Sequence, residues 1–162
     1  MNFAEKFYLV LIRAASSLQS PFLLAVRLYW GWQFHVAGSG KLHDISKPIE
    51  YFTTLGIPAP TANAWFISWL EFIGGFLLVI GLASRPVALL LTCDMLVAYI
   101  VADREALMSI FNDPDKFYGA TPYTFLFASL IVLIFGPGRI SLDALIGTRR
   151  RANSGRKAGA NP

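Results

Sequence analysis

The stretch that decides the fold is ANAWFISWLEFIGGFLLVIGLASRP, Ala62 to Pro86. From Ala62 to Ala83 it carries one charge, Glu71. A helix needs about 20 mostly apolar residues to cross the ~30 Å hydrocarbon core of a bilayer, and this run is long enough. The next run, Pro86 to Ala102, also carries a single charge, Asp94. Only Ser84 and Arg85 lie between the two, and Pro86 suits a first helical turn. The two runs therefore read as an antiparallel hairpin of membrane spans. Working outward, Phe22 to Gly40 holds one charge, Arg27, and Phe117 to Gly136 holds none. The expected fold is an all-α, integral membrane, antiparallel four-helix bundle. Its spans are expected at about 21–41, 62–83, 86–104 and 117–136, within a single domain over 1–148.

Composition agrees with a bilayer as solvent. Apolar residues make up 55% of the 162-residue chain, charged residues only 15%, and the mean hydropathy is +0.52. Soluble domains usually carry about 25% charged residues. The four runs take up about half of the chain, which leaves no room for a separate soluble domain.

The connections carry the remaining signals. The N-terminal segment has Phe7, Leu11, Ala15 and Leu18 at helical spacing with Lys6 and Arg13 beside them. That pattern suits an amphipathic helix lying in the membrane interface, and the apolar stretch is too short for a secretion signal. Between Lys41 and Pro60, Asp44 or Ser46 is placed to cap a short helix ending at Gly56. Ile140, Leu142, Leu145 and Ile146 suit another interfacial helix. Nine basic residues fall on the side of the termini and the 82–86 turn, against four on the other side. The excess places both termini in the cytoplasm. The tail 149–162, rich in arginine, reads as disordered chain resting on anionic headgroups rather than as a nucleic-acid site.

Charges inside spans are costly and should face the bundle and pair. At 1.5 Å per residue, Arg27, Glu71 and Asp94 all fall in the cytoplasmic half of the bilayer. Arg27 is therefore expected to bridge to Asp94, to Glu71 or to both. The cluster reads either as a clamp that fixes helix packing or as a ligand or proton site. Gly31, Gly38, Gly74, Gly75 and Gly81 lie near these charges, where small residues let helices approach closely in lipid. Cys93 is a lone thiol, expected to be a small buried group without redox work. His35 and His43 are eight residues apart, about 12 Å along one helix, so they do not fit opposite faces of one haem iron. No metal site is expected. Several of Trp30, Trp32, Trp65, Trp69, Tyr99, Tyr118 and Tyr123 fall near span ends, as in an aromatic belt. Those deeper in the bundle have the right chemistry to stack on a quinone.

The ordered pattern resembles the DoxX family of small bacterial four-span membrane proteins. The resemblance runs from about Pro21 to Ile146. It rests on RLYWGWQFHVAGSGKL with its early arginine, on FTTLGIP at 52–58, and above all on E-x2-GG-x5-GL-x2-R from Glu71 to Arg85. The positions matching the family pattern are Arg27, Lys41, Glu71, Gly74, Gly75, Gly81 and Arg85. The resemblance implies a four-helix membrane bundle and a component of a membrane oxidoreductase, with relatives tied to quinone reduction and thiol chemistry. This chain lacks paired cysteines, which argues against thiol–disulfide exchange by the chain alone.

Three functions follow as expectations. The first is a redox-associated subunit that binds a quinone, or a similar apolar small molecule, near Arg27, Glu71 and Asp94. The second is a non-enzymatic scaffold for redox or other membrane proteins. The third is a small proton-coupled carrier. A cavity wide enough for a ring and open to lipid beside Glu71 separates the first from the other two.

Overall fold

The computed structural model describes residues 2–149. Its elements are α1 (Phe3–His43), α2 (Ser46–Thr54), α3 (Pro60–Ile80), α4 (Ser84–Val101), α5 (Arg104–Met108), α6 (Pro114–Gly119) and α7 (Thr121–Phe135). Residues 142–149 form one further helical stretch. The fold is an all-α membrane bundle built on α1, α3, α4 and α7. Helices α1, α3 and α4 are each long and apolar enough to cross a membrane, whereas α7 is apolar but only 15 residues long.

The α3–α4 hairpin follows from local chemistry. Pro60 opens α3, where its missing N–H would have had no partner. Gly81 closes it at φ +72°, and the N–H groups of Gly81 and Leu82 return to the Leu77 carbonyl at 2.9 and 3.0 Å. A left-handed residue closing such bonds is the usual glycine stop of a helix. Ala83 then takes φ +49°, which is strained for a residue with a side chain, before α4 begins at Ser84.

Close approach of backbones binds α1 to α3. A methyl group on Gly38 would overlap the backbone of Phe72, one on Gly75 would overlap His35, and one on Gly31 would lie 2.9 Å from the Gly75 carbonyl oxygen. Between the four long helices sit Phe34, Leu78, Val87, Ala88, Leu91, Met95 and Val132, all buried. Thr92 donates to Ser129 across α4 and α7 at 3.0 Å.

The two ends of the bundle are closed differently. At the turn end the chain after α7 folds back beneath the helices. Arg139 N–H donates to the Ser20 hydroxyl at 3.2 Å, and Asp143 N–H to the Gly81 carbonyl at 2.9 Å. The Asp143 carboxylate accepts from the N–H groups of Ala83 (2.8 Å) and Ser84 (2.9 Å), capping α4 from 59 residues away. At the opposite, loop end lie α2, α5 and α6, and the Tyr99 hydroxyl donates to the Phe117 carbonyl at 2.7 Å.

Three expectations change. The N-terminal segment is not a separate interfacial helix but the first half of the 41-residue α1, which runs through Pro21. One proline removes a single backbone bond, and no glycine or second proline helps it end the helix. The run 117–136 is divided by Ala120, whose extended backbone separates α6 from α7. Pro122 cannot continue α6 and instead starts α7. The short helix after His43 does form, as α2, but neither Asp44 nor Ser46 caps it. The Ser46 hydroxyl donates to Asp44 instead. The tail expected at 149–162 lies, apart from Arg149, outside the described residues.

Candidate ligand-binding site

Glu71 lies near the middle of α3 with its side chain 3% exposed. Lys41, in the last turn of α1, bends back so that its Nζ donates to both carboxylate oxygens at 2.6 Å. A cation in that turn is also favoured by the negative end of the helix dipole. Asp94 of α4 is buried as well, and its Oδ2 has no hydrogen-bond partner. Unpartnered buried carboxylate oxygens are uncommon, because each gives up solvation without return.

Glu71, Lys41 and Asp94 line one cavity of about 630 Å³ between the loop-end halves of α3 and α4. Gly74 lets Val87 and Leu91 press against α3 near the turn. Beyond that contact the two helices form the walls, α2 supplies Tyr51 and Phe52 as a lid, and Met95 is part of the lining. Phe66, Leu90 and Val97 flank the cavity and are themselves about half exposed, so it opens on the lipid-facing side of the hairpin. Its size falls within the ~300–1,000 Å³ of small-molecule sites, and its character, mostly apolar with a few polar groups, also matches them.

Arg27 is not part of this group. It is 1% exposed, and its Nη2 donates to the Ile140 carbonyl at 2.5 Å, beside Gly81 and Ser141. Its Nε and Nη1 have no partner. The expected bridge from Arg27 to Glu71 or Asp94 is therefore absent, and Lys41 takes the carboxylate instead. The depth estimate failed for a geometric reason. Counting depth from Pro21 as the cytoplasmic end of the first span sets that residue level with the turn after α3, whereas the Arg27 guanidinium itself lies beside Gly81. Six residues of helix, about 9 Å, account for the error.

Lys41 is the residue that sequence reasoning left out of the site. It sits just past the apolar run and was counted as a loop charge. Its four-carbon stem carries the ammonium back into the bundle while the side chain stays 35% exposed. The glycines divide between the two places: Gly31 and Gly75 lie at the α1–α3 contact, Gly74 at the α3–α4 contact, and Gly81 leaves the space that the Arg27 guanidinium fills. Cys93 corrects another expectation. It is exposed and lines the cavity beside Asp94, because the α4 face that carries it has no helix packed over it. His35 donates from Nδ1 to the Phe72 carbonyl at 2.9 Å and stacks on the Phe72 ring, a packing role. Among the described residues, no three His, Cys, Asp or Glu side chains converge where they could hold a metal ion.

Comparison with known proteins fits this picture. The profile of the DoxX family matches residues 22–104, which include Arg27, Lys41, Glu71 and Asp94. The "Putative oxidoreductase CatD" of Bacillus subtilis (strain 168) is 28% identical over 76% of this chain and 85% of its own length. The "Uncharacterized membrane protein Rv3486" of Mycobacterium tuberculosis (strain ATCC 25618 / H37Rv) is 30% identical over 82% of this chain and 85% of its own. No solved structure gives a significant match. The profile covers the buried charges and the glycines of α1 and α3 described above, and the chain belongs to the DoxX family.

Proposed function

We propose that this chain is a four-span bacterial inner-membrane protein, with both termini cytoplasmic, that serves as a redox-associated subunit. In this reading the cavity beside Glu71, Lys41 and Asp94 binds a quinone or a similar lipid-soluble ring compound. The observation that carries the reading is the cavity itself, apolar, open toward lipid and floored by a buried ion pair and an unpartnered carboxylate. A ring with polar edge groups fits that distribution: its faces lie against apolar walls, and its oxygens meet Lys41 or Asp94. The relative named as an oxidoreductase supports the redox class. The carrier reading has less support, since Leu78, Val87, Ala88 and Leu91 place an apolar plug between Asp94 and the turn end. A scaffold role draws on Arg27, which acts as a clamp on the chain after α7.

The test is purification in mild detergent followed by mass spectrometry of co-purifying small molecules and proteins. A ring-bearing lipid-soluble compound, retained by the wild type and lost from Asp94→Leu, is the expected result. Recovery of bulk phospholipid alone, with the same content in both forms, would refute the reading. Reporter fusions after Arg85 and near Lys47 check the topology; a cytoplasmic signal at Lys47 would overturn four spans.

A further inference from the structure

The cavity continues into a second one. A groove of about 460 Å³ runs along the outside of the α3–α4 contact. It shares Phe66, Leu70 and Leu90 with the cavity and extends past Trp69 and Ile73 to Leu77 and Val87. From Phe66 to Leu77 the groove follows eleven residues of α3, about 16 Å. The two spaces differ in character. The cavity holds the ion pair and the free carboxylate oxygen of Asp94, whereas no charged side chain lines the groove.

We infer that the ligand of this site is a single-tailed amphiphile whose polar ring occupies the cavity and whose apolar chain leaves along the groove between α3 and α4. The inference rests on the ring-binding reading above and adds the class of ligand and its direction. For a molecule anchored by Asp94 or Lys41, the borders of the cavity differ in polarity. Lys47 and Asn63 beneath α2 make one border polar, whereas Leu70 and Leu90 lead into the groove, which is apolar. An apolar chain follows the groove. One groove accommodates one chain, so a two-chain phospholipid would leave half of its tails unsupported. The indole rings of Trp65 and Trp69, each more than two-fifths exposed on the groove wall, report on what lies there.

The experiment uses the full chain in detergent and two probes: a benzoquinone bearing a decyl chain and the same ring bearing a methyl group. Binding is followed by quenching of tryptophan fluorescence. Ile73→Trp fills the groove at a half-exposed position that packing tolerates, and Trp69→Ala removes one wall. Asp94→Leu acts on the head. Comparing each variant with the wild type for the same probe cancels the probes' unequal partition into detergent. Groove variants should weaken the decyl compound about tenfold while leaving the methyl compound unchanged, and Asp94→Leu should weaken both. If groove variants leave the decyl compound unaffected while Asp94→Leu weakens both, the tail inference is wrong and the ring site stands. If neither quinone binds the wild type, the ring-binding reading fails first. A tightly held phospholipid that neither probe displaces would also overturn the single-tailed ligand.

Discussion

Lys41→Met isolates the interaction that makes Glu71 tolerable inside the bundle. In the wild type both Glu71 oxygens accept from Lys41 Nζ at 2.6 Å, and the Glu71 side chain is 3% exposed. Removing one partner of a buried ion pair typically costs about 3–5 kcal/mol, because the remaining charge keeps its desolvation penalty. Lys41 is 35% exposed, so solvent already weakens the pair, and the expected loss falls to about 2–3 kcal/mol. Glu71→Gln keeps the shape, removes the buried charge and leaves Lys41 free to reach water, at about 1 kcal/mol. The double variant should therefore resemble Glu71→Gln alone, giving a coupling energy of about 2–3 kcal/mol in magnitude. The assay is a double-mutant cycle on reversible unfolding of the purified chain in mixed micelles, with near-UV circular dichroism confirming native packing. Effects that add within about 0.5 kcal/mol would refute the argument. They would mean that Glu71 is held neutral, or solvated from the cavity, without help from Lys41.

Three further outcomes follow from the geometry. Asp143→Ala strips the acceptor from the N–H groups of Ala83 and Ser84 and should lower stability by about 1–2 kcal/mol, whereas Ala83→Gly should raise it by up to about 1 kcal/mol by relieving the φ of +49°; thermal unfolding reads both. Gly38→Ala should abolish monodisperse protein, because the added methyl meets the Phe72 backbone, while Gly40→Ala, with open space around it, should purify normally on size exclusion. Cys93 should react with a lipid-soluble maleimide, and a bound quinone should slow that reaction; mass spectrometry of the labelled chain checks it, and a fully inert thiol would contradict the exposed position beside the cavity.

The architecture was readable where length and polarity alone decide it. The apolar runs around Glu71 and Asp94 became α3 and α4, but the turn between them falls at Gly81–Ala83, and Ser84, Arg85 and Pro86 form the first turn of α4. The placement of charges was readable only as burial, not as pairing. Arg27, Glu71 and Asp94 are all buried, yet the partners depend on the vertical offset between helices, and sequence ends do not fix that offset. The offset is set by where Gly31, Gly38 and Gly75 let α1 and α3 touch, which is a tertiary fact. Lys41 stood out only through the family pattern; its pairing with Glu71 was not readable, because a long flexible side chain acts about a turn away from its own Cα. The tail-side partner of Arg27 was unreadable for another reason: a backbone carbonyl, that of Ile140, leaves no mark in residue type.

Arg27 waits for an acceptor that lies 113 residues later in the chain. During synthesis the first span enters the bilayer with a guanidinium that has nothing to bond, and the α4 terminus likewise lacks the Asp143 carboxylate until the last segment emerges. Both needs are met in one event, when residues 138–143 swing under the bundle. A chain released early, or cut before Asp143, would keep an exposed arginine and an uncapped helix end on the same surface. That surface distinguishes finished from unfinished molecules, because the same six residues bury the arginine and cap the helix.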